Sequence, residues 1–249
     1  MSFNQSTGTI IDTLDKKLMW QIQKAKKIQK SIMPDELNEW NCINFAAKYL
    51  AIDEIGGDYY DRFYIKGDKL GLVIADVSGH GIPAALITTM VKVSFDFFAS
   101  QSDSPKVIIQ NVNDLLVKYL PQMGAYLTCF LLVIDKSLKV RYTNAGHQHA
   151  IRYINESNSF DYLDTEGVFV GAFENASDTY EEGETQLHPG DRIILYTDGI
   201  VETKNPDKEE YGYERFEDMV TFSSALSNDK LAELVIDDIR TWAGGEVLK

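Results

Sequence analysis

Cysteine, basic residues and long apolar runs are all scarce in this chain. The two cysteines, Cys42 and Cys129, are too few among 249 residues for a disulfide framework. Each lies in an apolar stretch and reads as a buried free thiol, which suits a reducing compartment. Lys and Arg number 24 against 38 Asp and Glu, a formal net charge of -14. A nucleic-acid surface needs the opposite balance, so no nucleic-acid partner is expected. No apolar run approaches the length of a membrane span. The start, Met1-Ser2-Phe3-Asn4-Gln5, lacks a basic-then-apolar signal pattern. A cytoplasmic location without membrane contact is therefore expected. The 44% hydrophobic and 25% charged content suits a globular chain of one large domain or two small ones.

Several chemical signatures are missing as well. There is no Gly-x4-Gly-Lys-[Ser/Thr], which argues against a P-loop nucleotidase. Neither cysteine is followed by an arginine at a phosphate-cradling distance, which argues against thiol phosphatase chemistry. Ser78 is not framed by a Gly-x-Ser-x-Gly elbow. Gly79-His80-Gly81-Ile82-Pro83-Ala84 does match a dinucleotide-binding Gly-x-Gly-x-x-Ala. Asp76, however, would set a carboxylate beside the pyrophosphate, and the helix that follows leads to another helix and not to a parallel strand.

What is present begins with a helix. Ile11, Leu14, Leu18, Ile22, Ala25, Ile28 and Ile32 recur at spacings of three and four, which predicts a helix from Ile11 to Met33 ended by Pro34. Lys16, Lys17, Lys24, Lys26, Lys27 and Lys30 surround the stripe. The pattern suits a helix packed on its own domain, a coiled-coil or signalling helix, or a membrane-surface helix, with Trp20 the lone aromatic anchor for the last. From Cys42 the period changes. Strands are predicted over Cys42 to Ala51, Tyr59 to Ile65, Leu70 to Ala75, Tyr126 to Asp135, Leu138 to Asn144, His149 to Ile154, Tyr162-Leu163, Val168 to Gly171 and Arg192 to Thr197. Helices are predicted from Ile82 to about Ala99, from Ser104-Pro105 to about Leu120, over Tyr213 to Phe222 and over Asp229 to Trp242. This grouping favours an α+β fold with antiparallel sheets.

Three aspartates sit beside glycine or small residues at or near the ends of apolar runs: Gly56-Gly57-Asp58, Ala75-Asp76-Val77-Ser78-Gly79 and Tyr196-Thr197-Asp198-Gly199. Glycine lets a chain turn sharply at a strand end, so the three carboxylates are placed to converge. Converging carboxylates repel unless a cation lies between them, and oxygen-only ligands suit Mg²⁺ or Mn²⁺. Asp58, Asp76 and Asp198 are the candidate metal and catalytic residues of a hydrolytic site. Each also fits a plain turn residue. His80 fits either a donor near a metal-bound phosphate or a turn histidine. Asn144-Ala145-Gly146-His147 ends another strand and reads best as a structural turn that could line the same rim.

These segments together resemble the metal-dependent PPM-type protein phosphatases, the 2C class. The likeness is to the bacterial branch typified by stage II sporulation protein E and the stress-response sigma-factor phosphatases. The matching stretches are Gly56 to Asp61, Ala75 to Ala85, Asn144 to His147 and Leu195 to Glu202, in the family's order. The resemblance implies a sandwich of two antiparallel sheets flanked by helices over 35–249, preceded by a regulatory linker helix over 1–34. It implies a two-metal site in which Asp76 bridges the two cations and is joined by the Val77 carbonyl, Asp58 serves one and Asp198 the other, with water attacking phosphorus directly. The implied substrate is a phosphoserine or phosphothreonine protein, of the anti-sigma-factor antagonist type, with a homodimer through the first helix.

One family feature is not found. The Asp-Asp-Ile-Thr strand that supplies a further ligand has no counterpart; Asp237-Asp238-Ile239-Arg240 lies inside a helical pattern with Leu231, Leu234, Val235 and Trp242. The expectation is a chain lacking that final strand, and the rival to an enzyme is a pseudophosphatase used as a binding module. No clear phosphate-binding arginine is found; Arg62 and Lys48 are candidates.

Overall fold

Why the core has its layers is clearest at β3 (Leu127–Ile134), which is apolar on both faces. Cys129, Leu131 and Val133 join a cluster with α2 (Gly81–Ala99) and α3 (Pro105–Leu116). Phe130, Leu132 and Ile134 join a second cluster that reaches the other sheet. A strand covered on both sides needs no polar face. The computed structural model describes residues 3–34, 39–50 and 55–245. Within them, one sheet runs β1 (Asp58–Ile65), β2 (Lys69–Val77), β3, β4 (Lys139–Ala145), β7 (Gly183–Gln186). The other runs β6 (Ser159–Leu163), β5 (Ala150–Ile154), β8 (Arg192–Ile194), and every pairing is antiparallel. A third cluster joins β5 to α5 (Tyr213–Phe222) and α6 (Asn228–Trp242) through Ile151, Phe216, Val220, Val235 and Ile239. The order of layers is helices, sheet, sheet, helices, as the resemblance implied.

Local chemistry sets the element ends. The β1–β2 turn uses Gly67 and Asp68 at positive φ. In the β3–β4 turn, the Asp135 carboxylate accepts from the Ser137 and Lys139 amides. Ser104 and Ser227 cap α3 and α6 by accepting from the amides three residues on.

Some expectations are corrected. Cys42 to Leu50 is irregular apart from a Trp40–Ile43 bridge, because no neighbouring strand pairs with it among the described residues; Ala51 lies outside them. Cys42 is consequently exposed, while Cys129 is buried as expected. Regular pairing of β8 stops at Ile194, and Val168 to Gly171 contributes only a bridge between Leu127 and Val170. α2 is long and apolar enough to cross a membrane by length and composition. Ala84, Ile87, Val91 and Phe95 of this helix are buried in the core, while Leu86, Val93 and Phe97 are exposed.

The first helix, α1 (Phe3–Ile32), forms, and its inward face keeps Ile22, Ala25 and Ile32 of the expected stripe but not Leu18 or Ile28. Ile22, Ala25, Gln29 and Ile32 are the positions at least partly withdrawn from solvent, whereas Leu18 and Ile28 are 50% and 62% exposed. Gln29 and Ile28 differ by one residue, about 100° around the helix, and it is the polar one that is buried. The side chains of Ile11 and Leu14 lie outside the described ones.

Gly71 lies opposite Phe63 across the β1–β2 pair, and a Cβ there would lie 2.3 Å from Phe63 Cε2. Phe63 stacks on Phe95 and has no free space to yield. Gly71→Ala is therefore expected to cost about 1–3 kcal/mol by overpacking. A denaturation midpoint equal to that of the parent chain would contradict this packing.

Candidate metal centre

The β1–β2 register sets Asp58 directly across from Asp76, and Asp76 across from Thr128 of β3. Just before β1, Gly57 accepts a hydrogen bond from the Val77 amide at 3.2 Å. A Cβ on Gly57 would lie 2.4 Å from the Val77 carbonyl oxygen and 3.2 Å from Asp76 Oδ1. Glycine is needed here for close approach, and those two oxygens crowd the same point. Asp198 arrives from the other sheet. It opens the short helix α4 (Asp198–Val201), after Thr197, whose hydroxyl donates to Asp58 Oδ2 at 3.4 Å. Asp58, Asp76 and Asp198 are thus brought to one edge of the sandwich and line one cleft.

Electrostatics tie them together. Burial, then Asp76, then Asp198 push the Asp58 carboxyl up from 3.8 to about 7, against the Thr197 hydrogen bond. Burial and then Asp198 push Asp76 up to about 6. No lysine, arginine or histidine figures among the causes of either shift. Without a cation, the cluster relieves its repulsion only by taking up protons.

His80 precedes α2, is exposed and lines the same cleft. Ser78 exchanges hydrogen bonds with Tyr126, a structural role. Lys48 lines the cleft but pairs with Glu233 at 3.6 Å, and Arg62 sits over the Tyr64 ring. Asp237 pairs with Arg240, and Asp238 accepts from Tyr211 and Arg215, as expected of aspartates on a helix.

Three residues were not singled out by the sequence. Gln29 of α1 clasps Gly56: its Nε2 donates to the Gly56 carbonyl at 2.6 Å and its Oε1 accepts the Gly56 amide at 3.3 Å. Tyr49 has a buried hydroxyl with no hydrogen-bond partner among the described residues. Burial, then Asp58, then Asp76 push it up to about 12. Thr197 bridges to Asp58 as described above. A polar residue at an inward position of α1 is the signal that marks Gln29; Tyr49 and Thr197 carry none.

The donor set can be tested against a metal. All candidate ligands are oxygen, the Gly57 cradle gathers Val77 O and Asp76 Oδ1, and the Tyr49 hydroxyl beside the carboxylates is orphaned. These fit a hard divalent cation. Among the described residues no three His, Cys, Asp or Glu side chains cluster tightly enough to hold one ion. Two ions, each held by one or two carboxylates and completed by water, need no such triplet; Mg²⁺ is commonly bound this way.

Sequence comparison decides the family. The family model for stage II sporulation protein E (SpoIIE) matches residues 66–248. The chain belongs to the SpoIIE family. The match contains Asp76, Val77 and Asp198, with Asp58 just before it. Similar curated proteins include the phosphoserine phosphatases RsbU and RsbP of Bacillus subtilis. RsbU is 26% identical over 186 residues, covering 74% of this chain and 54% of RsbU. RsbP is 27% identical over 186 residues, covering 73% of this chain and 45% of RsbP. The chain thus spans about half the length of these relatives. Among solved structures, the SiaA-PP2C domain of Pseudomonas aeruginosa superposes with TM-score 0.79 at 20% identity, over 95% of this chain and 94% of that one. The fold is that of the PP2C domain.

The raised carboxyls make a prediction for the metal-free protein. A folded pKa above the unfolded 3.8 contributes stability that is present below about pH 4 and lost as pH rises through about 6 and 7. Asp76→Asn is therefore expected to melt higher than the parent at pH 8 in chelator, by about 2–4 °C per kcal/mol of repulsion relieved. The difference should vanish near pH 4. A mutant that melts lower at pH 8, with the difference persisting at pH 4, would exclude repulsion as the cause.

Proposed function

We propose that this chain is a metal-dependent protein phosphatase acting on phosphoserine or phosphothreonine. The observation that carries the reading is the convergence of Asp58, Asp76 and Asp198 at one edge, with no basic side chain among the causes that shift Asp58 and Asp76. Asp58, Asp76, Asp198 and the Val77 carbonyl would hold two ions. Mg²⁺ or Mn²⁺ suits this set. Bound there, the ions would supply an activated water and charge neutralisation for in-line displacement at phosphorus. The chain's own part is to hold the carboxylates apart at fixed spacing and to close one side of the cleft with the Tyr49 ring. Relatives named as phosphoserine phosphatases support the activity. The sigma-factor-phosphatase branch that the motifs resemble suggests a phosphorylated anti-sigma-factor antagonist as the substrate class.

The second reading, a pseudophosphatase, draws support from the sparse shell. Asp237 and Asp238 lie on α6, where they pair with Arg240 and with Tyr211 and Arg215. Asp76→Asn separates the readings. It is expected to abolish Mn²⁺-dependent hydrolysis of a phosphoserine peptide while circular dichroism is unchanged. Turnover at the parental rate in a folded mutant refutes the assignment, and no turnover in the parent at any Mn²⁺ concentration favours the binding module.

We further propose that α1 regulates the site, through Gln29. Its two bonds to Gly56 lie two residues from Asp58, so a shift of α1 moves the loop that presents that carboxylate. Self-association through α1 fits its exposed Leu18, Met19, Trp20 and Ile28. Gln29→Ala should raise the Mn²⁺ concentration needed for half-maximal activity, about tenfold or more, as loss of supporting hydrogen bonds does elsewhere. An unchanged Mn²⁺ requirement would make Gln29 a packing residue only.

A further inference from the structure

Between the two sheets, at the edge that carries the aspartates, stands one imidazole with both ring nitrogens engaged. His147 Nδ1 lies 2.8 Å from Thr128 Oγ1, and Nε2 lies 3.2 Å from the Tyr196 carbonyl oxygen. A carbonyl only accepts, so Nε2 carries the proton and Nδ1 accepts from the Thr128 hydroxyl. Burial also pushes the imidazole down to about 4, against the pull of the Tyr196 carbonyl, so the ring is neutral at physiological pH. Its backbone is held as firmly. The His147 amide donates to Asn144 Oδ1 at 2.8 Å, and Asn144 Nδ2 donates back to the His147 carbonyl at 2.9 Å. Asn144 is itself tied to Asp164 at 2.6 Å, and Gly146 turns at φ +70.

Both partners of the ring are neighbours of candidate ligands. Thr128 is the cross-strand partner of Asp76 in the larger sheet. Tyr196 stands two residues before Asp198, in the segment leaving β8 of the smaller sheet. Thr197 returns the connection to Asp58. A closed circuit therefore runs from Asp58 to Asp76, Thr128, His147, Tyr196, Thr197 and back to Asp58. Pairing along the larger sheet fixes Asp58 against Asp76, but that pairing does not reach Asp198.

We propose that His147 is a positioning residue that sets the separation of Asp198 from the Asp58–Asp76 pair. It does so by tying the Tyr196 carbonyl of one sheet to Thr128 of the other. This rests on the reading of those aspartates as metal ligands. Groups that orient ligands in this way typically change metal affinity about 10- to 100-fold when removed.

The test uses the full chain and Mn²⁺ binding by calorimetry, with melting followed in parallel. His147→Gln can place an amide donor near the position of Nε2, whereas His147→Asn reaches only as far as Nδ1. The Gln variant is expected to bind Mn²⁺ within about threefold of the parent and the Asn variant about 10- to 100-fold more weakly, the range that supporting ligand contacts command. The melting temperatures of the two should be similar. Thr128→Ser, which keeps the hydroxyl, should behave as the parent, and Thr128→Val should weaken binding. Parental Mn²⁺ affinity in the Asn variant overturns the proposal, and so does equal loss in Asn and Gln that tracks their melting. If neither His147 variant folds, the Thr128 pair decides: a Val–Ser difference in affinity supports the link and equal affinities overturn it. Asp76→Asn is the control. Loss of Mn²⁺ binding there with parental binding in His147→Asn sinks the link alone, while parental binding in Asp76→Asn sinks the metal reading beneath it.

Discussion

Mutual repulsion among Asp58, Asp76 and Asp198 is the constraint on which the rest of this fold bears. Folding brings three carboxylates to one edge, where burial and their own charges hold two of them well above the ordinary carboxylate range. Nothing in a soap-like collapse would produce that arrangement. It persists because the β1–β2 register, the Gly57 contact and the β5–β8 pairing are each fixed by core packing elsewhere. The three apolar clusters supply the driving force, and the edge bears the cost. A divalent cation removes that cost, so fold and function meet in a single electrostatic term.

The sandwich is legible in the sequence where periodicity and turn chemistry agree. The β1–β2 and β3–β4 hairpins have apolar runs on both sides of Lys66 to Lys69 and of Lys136-Ser137, and both form. The Ser104 cap of α3 is an equally local signal. Asp58, Asp76 and Asp198 are legible because each lies at or near the end of an apolar run, with glycine within three residues. Cys42 to Leu50 misleads for a physical reason: alternation reports which faces are apolar, but a strand also needs a partner edge, which no local pattern encodes. The same gap explains why Cys42 is exposed.

The connections between the layers are not legible. Gln29 is separated from Gly56 by 27 residues, His147 from Tyr196 by 49, and Thr197 from Asp58 by 139. These contacts are one or two hydrogen bonds each, with no periodicity to announce them. His147 stood out only as part of a turn after a strand, and that turn does exist, locked by Asn144. What the turn accomplishes depends on the sheet it faces. The Gly79 to Ala84 decoy dissolves at the same level: α2 follows as the glycine pattern requires, but it leads to α3 and the strands around it are antiparallel, so no dinucleotide crevice is formed.

Charge gives these pieces a common logic. Six lysines against Asp12 and Asp15 give α1 a charge of +4, which leaves -18 on the rest of the -14 chain. Long-range charge is screened within about 10 Å at ordinary ionic strength, so what an anionic phosphoprotein meets is set locally. Over most of the domain it meets repulsion. The metal-free aspartate edge is among the worst places to approach, since its protonation near neutral pH only partly offsets its charge. Two divalent cations would reverse the sign there, and the lysine-rich helix is fastened beside that edge by Gln29. Attraction for a phosphoryl group would then be confined to one part of an otherwise repellent surface. Selectivity of that kind needs no dedicated phosphate-binding arginine, which agrees with Lys48 being paired with Glu233 and Arg62 sitting over Tyr64.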